Sequence, residues 1–319
     1  MNQRLLGGTG RRVSAVGLGA MPLAIARRPA EADAVRVIHA ALELGVDWID
    51  VADSYALDER DTGYCERLVA SAVRSWSGER DRILIATKGG YVRPGGDWQL
   101  DGRPSHLRAA CEASLRALGV SSLFLYQLHG PDPRVYFADS VGALADLRRE
   151  GKIQHVGLCN VDVGHLEDAA KIVPVATVQN RFNAYDRVCL SNGVVSWCER
   201  HGAALIAHSP VGGHSAHDRI AKDPALTAVA RRHEATPYEV ALAWLLSLSS
   251  SVLAIPGASR VESISSSVRA SSLTLTSDDS AELRRAFPTA SFLVRRLVSA
   301  RRRARQFARN WRSRLRSAR

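Results

Sequence analysis

One alternation constrains this chain more than any other feature. Eight short runs of apolar and β-branched residues, at 13–18, 46–51, 83–87, 123–128, 153–158, 176–179, 204–207 and 252–255, are separated by longer segments of helical period. Those segments lie near 30–44, 65–76, 104–118, 137–150, 163–172, 190–201, 222–233, 237–248 and 260–270. Strand then helix, repeated, means parallel strands joined by crossover helices. Gly45, Gly119, Gly151 and Gly202 fall just past helix ends, while Pro104-Ser105 and Thr236-Pro237 open helices. Eight such units in about 250 residues predict a closed (β/α)8 TIM barrel. An open dinucleotide-binding sheet would need Gly-x-Gly-x-x-Gly after the first strand, and Gly17-Leu18-Gly19-Ala20-Met21-Pro22 does not complete it. The expected organisation is one barrel over 1–288 followed by a basic helical extension, 289–319.

Charge separates these two regions. The formal net charge of +11 suggests a nucleic-acid or anionic-membrane binder until it is located. Of 43 basic residues, eleven are the arginines of 289–319, where no acidic residue occurs; the remaining 32 are matched by 32 acidic residues over 1–288. The barrel is therefore electrically balanced. In the tail, Leu297, Ala300, Ala304, Phe307, Trp311 and Leu315 recur at spacings of three and four among the arginines. That pattern fits a solvated extension, an interfacial helix making peripheral contact with anionic lipid, or contact with nucleic-acid phosphates. No base-reading motif accompanies it, so sequence-specific nucleic-acid binding is not expected. Five widely spaced cysteines with no Cys-x-x-Cys pair, no signal-type N-terminal run and no span-length apolar stretch suggest a soluble cytoplasmic protein, held at a membrane, if at all, through the tail.

In a barrel of this type the chemistry is carried by the C-terminal strand ends. The second run ends Asp50-Val51-Ala52-Asp53-Ser54-Tyr55, the third Thr87-Lys88, and the fourth Gln127-Leu128-His129. Taken singly, Asp50 is an ordinary turn former, Tyr55 a loop aromatic, Lys88 a solvated amine and His129 a structural imidazole. Together they place a carboxylate, a phenol, an ammonium and an imidazole on one rim. This set, with its Asp-x4-Tyr spacing, resembles the tetrad of the aldo-keto reductase superfamily. The resemblance extends over residues 4–287, through Gly17-Leu18-Gly19-Ala20-Met21, Gly157-Leu158-Cys159-Asn160, Val178-Gln179-Asn180, His208-Ser209-Pro210-Val211-Gly212 and Ile255-Pro256-Gly257-Ala258-Ser259-Arg260.

The resemblance implies an NADP(H)-dependent carbonyl reductase that passes a hydride to an aldehyde or ketone, in the manner of a carbonyl reductase or alcohol dehydrogenase. Hydride addition develops negative charge on oxygen, so a nearby proton donor lowers the barrier. Tyr55 is the expected donor. At about 4 Å and an effective dielectric near 20, Lys88 would attract its phenolate by about 4 kcal/mol, which would pull the phenol's pKa down. Asp50 would hold Lys88, and a neutral His129 would steer the substrate oxygen. The resemblance further implies that Asn160 and Gln179 take the nicotinamide carboxamide. Ala20, Met21, His208 and Pro210 would line the cofactor, and Ser209, Val211, Gly212, Gly257, Ser259 and Arg260 would hold its phosphates. His208 stands where the family carries an aromatic, Cys159 where it carries Ser, and Ser263, Ser266 and Ser267 where it contacts the adenine end. The spacing of His208, His214 and His217 matches no common ligand motif, so no metal is expected. A second reading, a non-catalytic cofactor-sensing module tethered by its tail, stays open at this level.

Overall fold

In the computed structural model, which describes residues 2–289, two glycines explain how the barrel closes. A Cβ on Gly17 would lie 2.3 Å from the Trp48 indole, and one on Gly19 would lie 2.8 Å from the Ile255 carbonyl oxygen. Only glycine permits either approach. The Gly17-Leu18-Gly19 run therefore serves packing: it lets Leu18–Gly19 (β1) lie against the last strand. The strands Trp48–Asp50 (β2), Leu84–Gly89 (β3), Leu123–Leu128 (β4), Ile153–Cys159 (β5), Val175–Arg181 (β6), Ala204–His208 (β7) and Val252–Ile255 (β8) then pair in sequence order, all parallel. Bridges Val16–Ala254 and Gly19–Gly257 join β1 to β8 and complete the (β/α)8 ring.

Around it run Glu31–Glu43 (α1), Tyr64–Ser75 (α2), Pro104–Leu118 (α3), Phe137–Arg149 (α4), Val163–Ala170 (α5), Val188–Ser191 (α6), Val194–His201 (α7), Gly213–Ala221 (α8), Pro224–Arg232 (α9), Pro237–Ser247 (α10), Val261–Ala270 (α11) and Ser277–Ala286 (α12). The helix expected at 190–201 is divided in two, because Asn192-Gly193 turns the chain, with Gly193 at φ 86°. Helices α8 and α12 were not anticipated. Thr236 and Glu239 form a reciprocal capping box at the start of α10, as the Thr236-Pro237 signal suggested.

The run at 13–18 is not one strand. Arg12–Ser14 pairs antiparallel with Gln3–Leu5 in a hairpin across the base of the barrel. Leu6 and Val13 on this hairpin pack with Trp48, Leu84, Leu125, Ile206 and Leu253 in the lower interior. The Trp48 indole N–H donates to the Ser14 carbonyl at 2.9 Å, which locks the plug to β2. Strand periodicity then sets the next layer up. On β2 the step from Trp48 reaches Asp50; on β3 the steps from Leu84 reach Ala86 and Lys88; on β4 Leu125 is followed by Gln127. The interior is thus apolar at the base and polar at the C-terminal rim. All five cysteines are free and buried, and no helix among the described residues is long and apolar enough to cross a membrane. The arginine-rich tail lies outside the described residues.

Candidate active site

Lys88 is completely buried, and its three ammonium donors all have partners. They go to Asp50 Oδ1 at 2.5 Å, the Val51 carbonyl at 2.8 Å and the Tyr55 hydroxyl at 2.9 Å. Three donors on three acceptors fix the ammonium in one orientation. Burial alone would lower the Lys88 pKa, but Asp50 and Tyr55 overturn that and hold it above its ordinary value, so the side chain is charged. The second oxygen of Asp50 accepts from Gln179 at 2.8 Å and Gln127 at 3.3 Å. A buried ion pair is stabilising only when its remaining lone pairs are satisfied, and here β4 and β6 satisfy them.

Because Lys88 donates into the Tyr55 oxygen, the phenolic hydrogen is left to point elsewhere. Tyr55 is 7% exposed, enough to be reached from the rim. Its pKa departs from the expected direction. Burial raises it, Lys88 opposes that, and Asp50 adds to the rise, so the resting phenol lies above its ordinary value. The pairwise attraction anticipated from sequence is present, but desolvation of the phenolate outweighs it. Tyr55 therefore keeps its proton at neutral pH.

His129 follows β4 directly, with its backbone N–H on the Gly89 carbonyl at 2.9 Å. Its ring meets Tyr55 edge-on at 5.7 Å between centroids. Burial, Lys88 and His208 together push its pKa well below the ordinary value, so the imidazole is neutral. Ser54 lies 3.5 Å from Nδ1, while Nε2 has no hydrogen-bond partner among the described residues.

On the later strands, Asn160 sits at φ 59° and Ser209 at φ 53°, conformations that ordinary residues rarely adopt. Asn160 donates from Nδ2 to the His129 carbonyl at 2.9 Å, and its Oδ1 lies 3.2 Å from His208 Nε2. His208 Nδ1 in turn meets the Ser209 hydroxyl at 3.2 Å, and burial with Arg181 and Lys88 pushes the ring down to about 3. The Cys159 thiol points to Gln127 at 3.8 Å. Ala20 is buried and donates its N–H to the Asp50 carbonyl, and Met21 is half-buried beside it. Pro210 and Gly212 are buried and Val211 is half-buried, with Gly212 at φ 87° opening α8. Gly257, Ser259 and Arg260 are exposed after β8. Arg260 is the N-cap of α11 and gives it no side-chain cap. It has no carboxylate partner among the described residues. The Ser266 hydroxyl turns inward to Glu239 at 2.9 Å, and Ser267 bonds the Ser263 carbonyl.

A model of the aldo/keto reductase family matches residues 15–287. The chain belongs to that family. An uncharacterised oxidoreductase of Schizosaccharomyces pombe is 36% identical over 243 residues, covering 76% of this chain and 74% of the relative. A probable aldo-keto reductase of Glycine max is 29% identical over 312 residues, covering 89% and 88%. Among solved structures, a thermostable aldo-keto reductase bound to the inhibitor epalrestat superposes with a TM-score of 0.77 at 28% identity, over 90% of this chain and all of that one. A Klebsiella pneumoniae aldo/keto reductase in complex with NADP and acetate does so at 0.76 and 25%, over 91% and 97%. As an aldo-keto reductase, this chain is an oxidoreductase.

The four rim residues named from the sequence converge on one point of the barrel. The sequence assigns Gln127 no role, yet it touches Asp50, Cys159, Thr177 and Gln179. Its signal was parity: it is an inward strand position two residues before His129. Gln179 differs from expectation in pointing its amide nitrogen at Asp50, not at the open rim.

Proposed function

We propose that this aldo-keto reductase is an NADPH-dependent carbonyl reductase acting on an aldehyde or ketone, with Tyr55 as proton donor. The observation that carries the reading is the buried relay Asp50–Lys88–Tyr55 beside a neutral His129. Support for the cofactor comes from the donor set on the later strands. The N-terminus of α11, which receives no side-chain cap and has Arg260 at its N-cap position with no carboxylate partner among the described residues, suits a phosphate by dipole, free N–H groups and fork geometry. Asn160 offers an amide to a carboxamide, and Gln179, whose amide nitrogen is turned to Asp50, offers its Oε1 as an acceptor. When bound there, NADPH supplies the hydride.

The chain handles the proton. His129 Nε2, neutral and open, donates to the carbonyl oxygen and fixes its position. As negative charge grows on that oxygen it becomes far more basic than a phenolate, so Tyr55 delivers its proton although its resting pKa is high. Lys88, already aimed at the Tyr55 oxygen, stabilises the phenolate that remains, and Asp50 holds Lys88 through the step. Solvent then returns a proton to Tyr55. Replacing Tyr55 by Phe should lower NADPH oxidation across a panel of carbonyls by about 10²–10⁴-fold, with the NADPH dissociation constant, read by fluorescence, within about twofold. Unchanged turnover would overturn the reading. Tight NADPH binding by a wild-type protein that reduces no carbonyl would favour the cofactor-sensing alternative.

A further inference from the structure

Between β3 and α3 the chain makes an excursion that the proposed mechanism does not use. Tyr91–Val92 pairs antiparallel with Gln99–Leu100, closed by a turn in which Gly95 and Gly96 have φ of 58° and 87°. This hairpin carries two aromatic rings to the mouth of the site. Tyr91 meets His129 edge-on at 4.8 Å, and Trp98 meets Tyr55 edge-on at 6.3 Å and Tyr91 at 5.8 Å. Trp98 is 44% exposed, so it is a wall with one side open.

An arginine beneath that wall invites reading as a carboxylate receptor, but its geometry points the other way. Arg93 is buried, and its guanidinium carbon lies 4.1 Å from the centre of the Trp98 ring. Nε donates to the Gly96 carbonyl at 3.0 Å, Nη1 to Ala56 at 2.7 Å, and Nη2 to Leu57 at 3.2 Å and Gly96 at 2.5 Å. Ala56 and Leu57 directly follow Tyr55. The fork therefore ties the hairpin to the Tyr55 loop, and a second tie runs from the Gly95 N–H to Glu59 at 2.7 Å. Arg103 and Arg134, at the other end of the hairpin, are paired with Asp101 and Asp132.

We propose that Arg93 is a positioning residue that sets Trp98 as one wall of the acceptor pocket, and that this pocket takes uncharged aryl carbonyls in preference to carboxylate-bearing ones. The inference rests on the carbonyl-reductase reading. An aromatic ring entering beside Tyr55 would find an edge or face on Trp98 and Tyr91. Neither cation beside this wall is free to receive an anion, because Lys88 and Arg93 already face protein acceptors. Lysine could not replace the fork, since it cannot hold three carbonyls in one plane.

The test compares benzaldehyde, 4-carboxybenzaldehyde and butanal. Wild type should favour benzaldehyde over its 4-carboxy analogue by about 10-fold in kcat/KM. Trp98→Ala should raise the benzaldehyde KM about 10-fold relative to that for butanal, and Trp98→Phe should recover most of it. Arg93→Ala should shift the same ratio, which a loss of active protein would not do. Arg93→Lys, a milder change in case the alanine variant fails to fold, should shift it in the same direction. An unchanged ratio in Trp98→Ala, or equal use of the two benzaldehydes by wild type, overturns the proposal. Retained turnover in Tyr55→Phe instead removes the proton-donor reading and leaves the ratio as judge of the wall. If wild type reduces none of the three, the carbonyl-reductase reading falls and calorimetry with benzyl alcohol decides. Weaker binding to Trp98→Ala would then uphold the wall, and an unchanged dissociation constant would sink it.

Discussion

The two halves of the barrel rim are built on different principles. On β2 to β4, Asp50, Lys88 and Tyr55 are buried and hydrogen-bonded to one another, and their geometry needs no ligand to assemble. After β8, Gly257, Ser259 and Arg260 stand exposed, and after β7 the chain turns through positive φ at Ser209 and Gly212. Under the proposed function, the difference teaches where preorganisation is needed. Groups that move a proton must be aligned before the carbonyl arrives, since alignment made during the reaction adds to the barrier. Groups that hold a phosphate can rely on charge and on N–H donors at a helix end, which tolerate looser placement.

Three substitutions would break or sharpen this contrast. The largest effect belongs to the buried half. Lys88→Met leaves the Asp50 carboxylate without its cation in the barrel interior, so stability should fall by about 3–5 kcal/mol, measured by chemical denaturation, along with loss of turnover. A change below about 0.5 kcal/mol, the scale of an ordinary surface substitution, would show that the pair is not a structural unit. On the open half the effect should appear in binding and not in folding. By the proposed reading, Arg260→Ala would remove one charged contact, worth about 1.5–3 kcal/mol, which corresponds to about 10–150-fold weaker NADPH binding with NADH little affected. An equal loss for both cofactors would place Arg260 away from the 2′-phosphate.

The smallest effect concerns His208, the last residue of β7. The folded chain holds His208 at about 3, below the ordinary 6.5, so the unfolded chain binds a proton that the folded chain refuses. This contribution to stability is complete above about pH 6.5 and is lost as the pH falls toward about 3. His129, also held below its ordinary value, acts in the same direction. His208→Phe should therefore reduce the loss of stability between pH 7 and pH 5, by about 1 kcal/mol or less after solvent screening. An unaltered slope would assign the acid sensitivity elsewhere.

Much of the fold was legible because it is periodic. The runs at 123–128 and 252–255 correspond to β4 and β8 residue for residue, and α3 begins at Pro104 and ends before Gly119 as those two signals indicate. The run at 13–18 failed because an apolar stretch does not say which neighbour it will pair with. Val13 joined the basal hairpin and Leu18 joined the barrel. The site was legible as residue types at strand ends. Its hub, Gln127, was not, because a glutamine in a strand is unremarked until Asp50, Cys159 and Gln179 arrive around it from three other strands.

By itself the sequence determined the repeat number, the rim residues and the segregation of charge into 289–319, since period, strand-end position and composition are local properties. Only the tertiary structure decided the protonation of the site and the use of its arginines. Those depend on burial and on distant partners. Desolvation outweighs Lys88 at Tyr55, and backbone carbonyls 36 and 37 residues away occupy the Arg93 guanidinium.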